Sequence, residues 1–223
     1  MLTAVAAGFG IARVTQRGLP LRAWEKVGIG LGAFVGATVG AKLPFLFDDW
    51  ESFRSGAAWF SNGKTILTGL VGGYLGVEAA KWSLGIRTRT GDSFVIPVAV
   101  AIAIGRVACF HVGCCYGQPT TMPWGIVFPA VDNLPRHPTQ LYESLFHLTM
   151  AGLFVWLAAR NVFPEQRIKL YLILYASYRF FSEWLRPEAR VYGELTGYQI
   201  ASLLIIVLFV WHWVRDKRPA PGK

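Results

Sequence analysis

Apolar runs alternate with short polar segments along the whole chain of 223 residues. Val27 to Phe47, Lys64 to Ile86, Phe94 to His111, Gln140 to Ala159, Ile168 to Leu185 and Leu195 to Val214 each fall within the roughly 17 to 25 residues that an α-helix needs to cross a bilayer. The opening MLTAVAAGFGIARV is apolar but shorter, so it reads as a short first helix. The pattern predicts an all-α polytopic membrane protein of about seven transmembrane helices, folded as a single integral membrane domain over residues 1–223. Gly28, Gly32, Gly36 and Gly40 recur every four residues, placing a small-residue stripe on one helix face for a close neighbour; Gly69 with Gly73 and Gly72 with Gly76 repeat the device. Glu78 lies three residues from Lys81 and is expected to pair with it.

Composition agrees with a membrane setting: 53% of residues are hydrophobic, 16% charged, and the mean hydropathy is +0.40. The formal charge of +9 does not point to nucleic acid, because the basic residues sit in small clusters between apolar runs. With the tail cytoplasmic, the inner side collects Arg13, Arg17, Arg22, Lys26, Lys81, Arg87, Arg89, Arg160, Arg167, Lys169 and the basic tail, which is 14 of 22 basic residues. The outer side holds six: Lys42, Arg54, Lys64, Arg136, Arg186 and Arg190. The positive-inside rule then places the amino terminus outside and the carboxyl terminus in the cytoplasm. Trp50, Trp59, Trp124, Trp184, Trp211 and Trp213 fall near the ends of spans, as interfacial belts do. The start has no basic leader before its apolar residues, so no cleavable signal peptide is expected.

One stretch departs from ordinary loop chemistry. Gly105 to Glu143 holds all three cysteines, two of the four histidines and five of the twelve prolines, making a proline-rich external loop region between two spans. Arg106 at its start and Arg179 in a later span lie within apolar runs, where each charge costs about 2.5 to 3.5 kcal/mol unless paired or hydrated. Both fall roughly 8 to 10 Å below the outer end of their helices. Glu183 follows Arg179 by one turn, and Glu143 lies one turn into the helix introduced by His137 and Pro138. Two readings stay open: ion pairs that merely hold helices together, or a cradle for the phosphate of a phospholipid headgroup, which guanidinium binds bidentately.

Cys109, Cys114 and Cys115 crowd into seven positions beside His111 and form no disulfide framework. Their leading reading is small side chains filling a helix end; a thiolate nucleophile or a place on the acceptor side is the sharper alternative. Adjacent cysteines ligate one ion awkwardly, so no metal site is expected. His147 and His212 are read as interfacial packing.

GRVACFHVGCCYG, WGIVFP, RHPTQLYE, YASYRFFSEWLR and LTGYQIASL resemble, in order, the motifs of the bacterial prolipoprotein diacylglyceryl transferases. The resemblance covers about Lys64 to Val214. It implies transfer of diacylglyceryl from phosphatidylglycerol to the thiol of a lipoprotein precursor at the outer face of the inner membrane, without a cofactor. By motif position it implies catalytic roles for Arg106, Arg179, Tyr175 and Glu183, and substrate contacts for His137, Gln140, Tyr142, Glu143, Gly105 and Gly117. The chain departs from the pattern where Leu67 stands at the family's histidine and Thr68 at its first glycine. Cys109, Cys114 and Gln118 replace an asparagine, a glutamate and an arginine. A monomer is expected. The departures leave two further readings of the same fold, a non-catalytic lipid-binding or assembly protein and a cysteine-dependent acyltransferase.

Overall fold

The structure, a computed structural model, describes residues 2–44, 50–56 and 65–216. Asp48, Asp49, Trp59, Lys64, the end of the Val27 to Phe47 run and the tail beyond Asp216 lie outside the described residues, so expectations placed on them are not addressed. The chain forms two compact units, Gly18–Arg89 and Met1–Arg17 with Thr90–Lys223.

The first of these units holds, after the helix α1 (Leu2–Thr15) of the other unit in chain order, α2 (Ala23–Lys42), the five-residue α3 (Trp50–Arg54) and α4 (Ile66–Ser83). Glu25 caps the start of α2 by accepting the Arg22 backbone N–H at 2.6 Å. The glycine stripe does what its spacing predicts. A Cβ at Gly36 would lie 2.2 Å from the Gly72 carbonyl oxygen, one at Gly32 2.6 Å from that of Gly76, and one at Gly40 2.5 Å from that of Thr68. On α4 the deepest contacts belong to Gly72 and Gly76, whereas Gly69 and Gly73 meet the small residues Ala41 and Ala37. The two backbones approach so closely that only hydrogen fits between them. Gly36→Val is therefore expected to cost about 1 to 3 kcal/mol or more, as overpacking does, while Gly30→Ala, where nothing lies within 4 Å, should stay within about 0.5 kcal/mol of the parent. Thermal unfolding in detergent checks the pair; equal melting temperatures would contradict the packing. Lys81 pairs with Glu78 at 2.9 Å, as its spacing suggests. Lys42, counted among the loop charges, is instead buried at 2% exposure.

The larger unit contains α1 (Leu2–Thr15), α5 (Asp92–Val112), α6 (Thr139–Ala159), α7 (Arg167–Ser182) continued by a 3-10 turn (Glu183–Leu185), and α8 (Gly197–Asp216). Two short antiparallel pairs lie between helices: β1 (Ile126–Val127) with β2 (Pro135–Arg136), and β3 (Arg190–Tyr192) with β4 (Leu195–Thr196). Among the described residues, three helices, α5, α6 and α8, are long and apolar enough to cross a membrane. The expected Ile168 to Leu185 span is a 16-residue helix that tightens into the 3-10 turn.

At one end of this unit, Pro97 has no N–H to offer the Ser93 carbonyl one turn earlier, and Thr15 at the end of α1 donates to that carbonyl at 2.8 Å. Asp92 accepts backbone N–H groups of Glu165 and Arg167 at 2.7 and 2.9 Å, capping α7 from another helix. Lys169 pairs there with Asp216. The outward pattern is inverted relative to a soluble bundle: Leu145, Val155, Phe181, Leu204 and Val207 are exposed, while Gln140, Glu143, Ser144, His147 and Arg179 are buried. An apolar exterior around a polar interior fits a hydrocarbon surround.

Candidate active site

At the opposite end of the larger unit, charge is concentrated where α5 finishes, α6 begins and α7 passes into its 3-10 turn. Gly113 closes α5 in the left-handed region at φ 74, its N–H returning to the Cys109 and Phe110 carbonyls. The loop that follows is sewn down by backbone: Gly117 N–H donates to the His137 carbonyl and Gln118 N–H to the Leu185 carbonyl, both at 2.8 Å. Gly117 is required there, since a Cβ would lie 2.7 Å from the Leu185 oxygen and from His137 Cβ. A Cβ at Gly105, in contrast, would meet nothing within 4 Å. Arg136 holds the hairpin by bonding Asp132 and the Gly117 carbonyl and lying over the Tyr116 ring. That guanidinium holds the Asp132 carboxyl below the usual carboxylate range.

Glu143, fully buried, is the hub. Arg106 Nη2 reaches its two oxygens at 2.9 and 2.8 Å, Arg186 Nη2 bonds Oε2 at 3.0 Å, Arg179 Nη1 stands 3.7 Å away, and the Tyr175 hydroxyl donates to Oε1 at 2.6 Å. Arg179 also bonds Glu183 at 2.7 Å and lies over the Tyr198 ring. Arg179 pairs with Glu183 one turn on and Arg106 with Glu143 from another helix, so ion pairs of the kind left open by the sequence are present, and they merge into one cluster. Three guanidiniums face two carboxylates, one positive charge in excess. Arg106 Nε and Arg186 Nε are buried with no hydrogen-bond partner, and Arg179 Nη1 has none within hydrogen-bonding distance. Donors left idle beside an excess of positive charge suit an anion.

Arg186 corrects the sequence reading, which placed it among the exposed outer charges. It is 7% exposed and bound to Glu143. The signal was available: Arg179, Glu183 and Arg186 follow one another by four and three residues, the spacing of a single helix face. His147 is a second correction, since it is fully buried, with Nδ1 2.9 Å from the Tyr171 hydroxyl rather than at an interface.

The other named residues surround this cluster. Gln140 is buried and donates to the Cys114 carbonyl at 2.6 Å, and Thr139 donates to that of Cys115 at 2.7 Å. Tyr142 accepts from Trp124 Nε1 at 2.7 Å and lies 3.3 Å from His137 Nδ1. The sulfurs of Cys109, Cys114 and Cys115 gather within 4.8 Å of one another, and His111 points away to an exposed position against Phe110. A hydrogen bond with Cys109 pulls the Cys115 thiol down to about 5 against the cost of desolvation, with Arg106 and Arg186 adding to the pull, whereas burial pushes the Cys114 thiol up.

The sequence profile described as prolipoprotein diacylglyceryl transferase matches residues 1–215. The chain belongs to that family. Within the prolipoprotein diacylglyceryl transferases it is 32% identical to the phosphatidylglycerol-prolipoprotein diacylglyceryl transferase of Coxiella burnetii strain Dugway 5J108-111, over 93% of this chain and 85% of the relative. It is 30% identical to phosphatidylglycerol-prolipoprotein diacylglyceryl transferase 2 of Clostridium perfringens strain 13, over 78% and 72%. A relative from Nitratidesulfovibrio vulgaris strain DP4 is 36% identical over 63% of this chain and 57% of its own length. Membership makes the chain an enzyme of the diacylglyceryl transferase class, and the charged cluster is built from its GRVACFHVGCCYG, RHPTQLYE and YASYRFFSEWLR segments.

Proposed function

We propose that this diacylglyceryl transferase takes diacylglyceryl from phosphatidylglycerol and moves it to the thiol of a lipoprotein precursor, at the outer face of the inner membrane. The observation that carries the reading is the trio Arg106, Arg179 and Arg186 gathered on Glu143 with buried N–H groups left over. As the carbon–oxygen bond between diacylglyceryl and phosphate breaks, the departing glycerol phosphate gains charge. Guanidiniums already aimed at it stabilise that charge without reorganising. Glu143, itself held by the Tyr175 hydroxyl, fixes the arginines in place, and Glu183 holds Arg179. His137, Gln140 and Tyr142, at the mouth of α6, face the headgroup, and the loop around Gly117 shapes the entrance. Purified chain in mixed micelles with phosphatidylglycerol and a lipobox peptide should release glycerol phosphate and yield a peptide heavier by one diacylglyceryl; release without peptide modification, or neither, counts against this reading.

The orientation rests on the 14-to-6 asymmetry of basic residues. A reporter fused after Lys223 is expected to read cytoplasmic, and one inserted between Thr120 and Arg136 external. The reverse pair of results would move the site to the inner leaflet.

A further inference from the structure

Beside the arginine cluster, three thiols converge in a way that local sequence does not anticipate. Cys109 sits one helical turn after Arg106 on α5; Cys114 and Cys115 follow the Gly113 cap, and the three sulfurs lie within 4.8 Å of one another. Neighbouring residues in extended chain point apart, which is why adjacent cysteines make poor co-ligands. Here Cys115 takes the left-handed region at φ 60, a conformation that a residue with a side chain adopts only when its surroundings hold it there. The hold is visible: Gln140 and Thr139, from the first turn of α6, bond the Cys114 and Cys115 carbonyls at 2.6 and 2.7 Å. The thiols are thus carried on a backbone anchored from a second helix, and all three are free cysteines.

We propose that Cys109, Cys114 and Cys115 form a three-thiolate site for a soft d10 dication, Zn2+ foremost, whose fourth position receives the acceptor thiol. The second clause rests on the diacylglyceryl transfer proposed above; the first does not. Zn2+ with Zn–S bonds of about 2.3 Å brings sulfurs to about 3.8 Å from one another, so the present spread closes with side-chain rotation of about 1 Å. Three thiolates and a dication carry one net negative charge, and Arg106 lies one helical turn before Cys109 on the same helix. Three protein ligands and one open position are the arrangement of a catalytic zinc rather than a structural one. A thiol that enters the open position loses its proton to solvent on binding. Its sulfur then forms the new bond to the diacylglyceryl carbon, the carbon–oxygen bond to phosphate breaks, and glycerol phosphate leaves with the electron pair toward the arginines.

The test uses the full chain, reduced and stripped of metal in detergent. Titration with Co2+ should give thiolate charge-transfer absorption saturating at one equivalent, reversed by Zn2+, and Zn2+ should protect three thiols from alkylation in the unmutated chain. Cys109→Ala, Cys114→Ala and Cys115→Ala should each weaken uptake at least tenfold, the lower end of what disturbing a metal site does. Stripped chain should keep phosphatidylglycerol binding and lose peptide modification at least tenfold, with Zn2+ restoring it. Absence of stoichiometric uptake, uptake indifferent to the three substitutions, or a disulfide between two of these cysteines in native membranes would overturn the metal site. Equal turnover by stripped and loaded chain would overturn the role at the open position alone. Failure of the transfer reading would show as no turnover in either state, with metal uptake still measured by absorption.

Discussion

Arg106→Lys and Arg179→Lys, made separately, are each expected to lower phosphatidylglycerol-dependent turnover by about 10²-fold or more, the scale seen when one preorganised donor to a developing charge is lost. Lysine keeps a positive charge, so Glu143 and Glu183 remain compensated and the chain should accumulate and melt close to the parent. It lacks the planar fork. Arg106 now holds both Glu143 oxygens through Nη2 while Nε stays without a partner, and a point charge on a flexible stem cannot hold the carboxylate and offer a second directed donor together. Arg186→Lys should behave likewise, because Arg186 is bound to the same carboxylate with its own Nε idle. The decisive comparison is turnover per folded molecule, with folding followed by detergent melting. Lysine variants that accumulate and work like the parent would reduce the cluster to a set of helix clamps and remove the headgroup site.

Glu143→Ala is expected to be the most damaging single change to folding. It removes the carboxylate shared by Arg106, Arg186, Arg179 and the Tyr175 hydroxyl, leaving the buried Arg106 and Arg186 without their carboxylate while Arg179 keeps Glu183. Breaking a buried pair from one side costs about 3 to 5 kcal/mol, and here several partners are stranded at once. Glu143→Gln retains an acceptor for Tyr175 and one arginine, so its loss should be smaller than that of alanine. Accumulation in membranes and melting temperature in detergent give the ranking parent, Gln, Ala; an alanine variant as stable as the parent would mean that the arginines are hydrated rather than paired.

Much of the fold was legible along the chain because the surrounding hydrocarbon imposes a local requirement. Each crossing must present a continuous apolar run, which reads directly from residues in sequence, and α5, α6 and α8 meet it by length and composition. The α2 and α4 glycines were legible for a similar reason, since a four-residue period fixes one helix face before any partner is known. Their use is confirmed in the carbonyl oxygens that stand where a Cβ at Gly36 or Gly32 would go. Intrahelical pairs such as Glu78 with Lys81 and Arg179 with Glu183 follow from spacing alone.

What the chain by itself determined, then, is where apolar segments begin and end, which faces of α2 and α4 carry no side chain, and that Arg106, Arg179, Glu143 and Glu183 are charges with nowhere to go but inward. Only the tertiary structure decided that Glu143 is the common partner, that Arg186 leaves the surface to join it, and that His147 faces Tyr171 in the interior. Those choices depend on how α5, α6 and α7 rotate against one another, and helix rotation is a sum over many packing contacts that no short window of residues contains. The cysteines show the same division at the smallest scale: their crowding is plain in the sequence, but convergence of the three sulfurs requires the left-handed backbone at Cys115 and the two bonds from α6 that hold it.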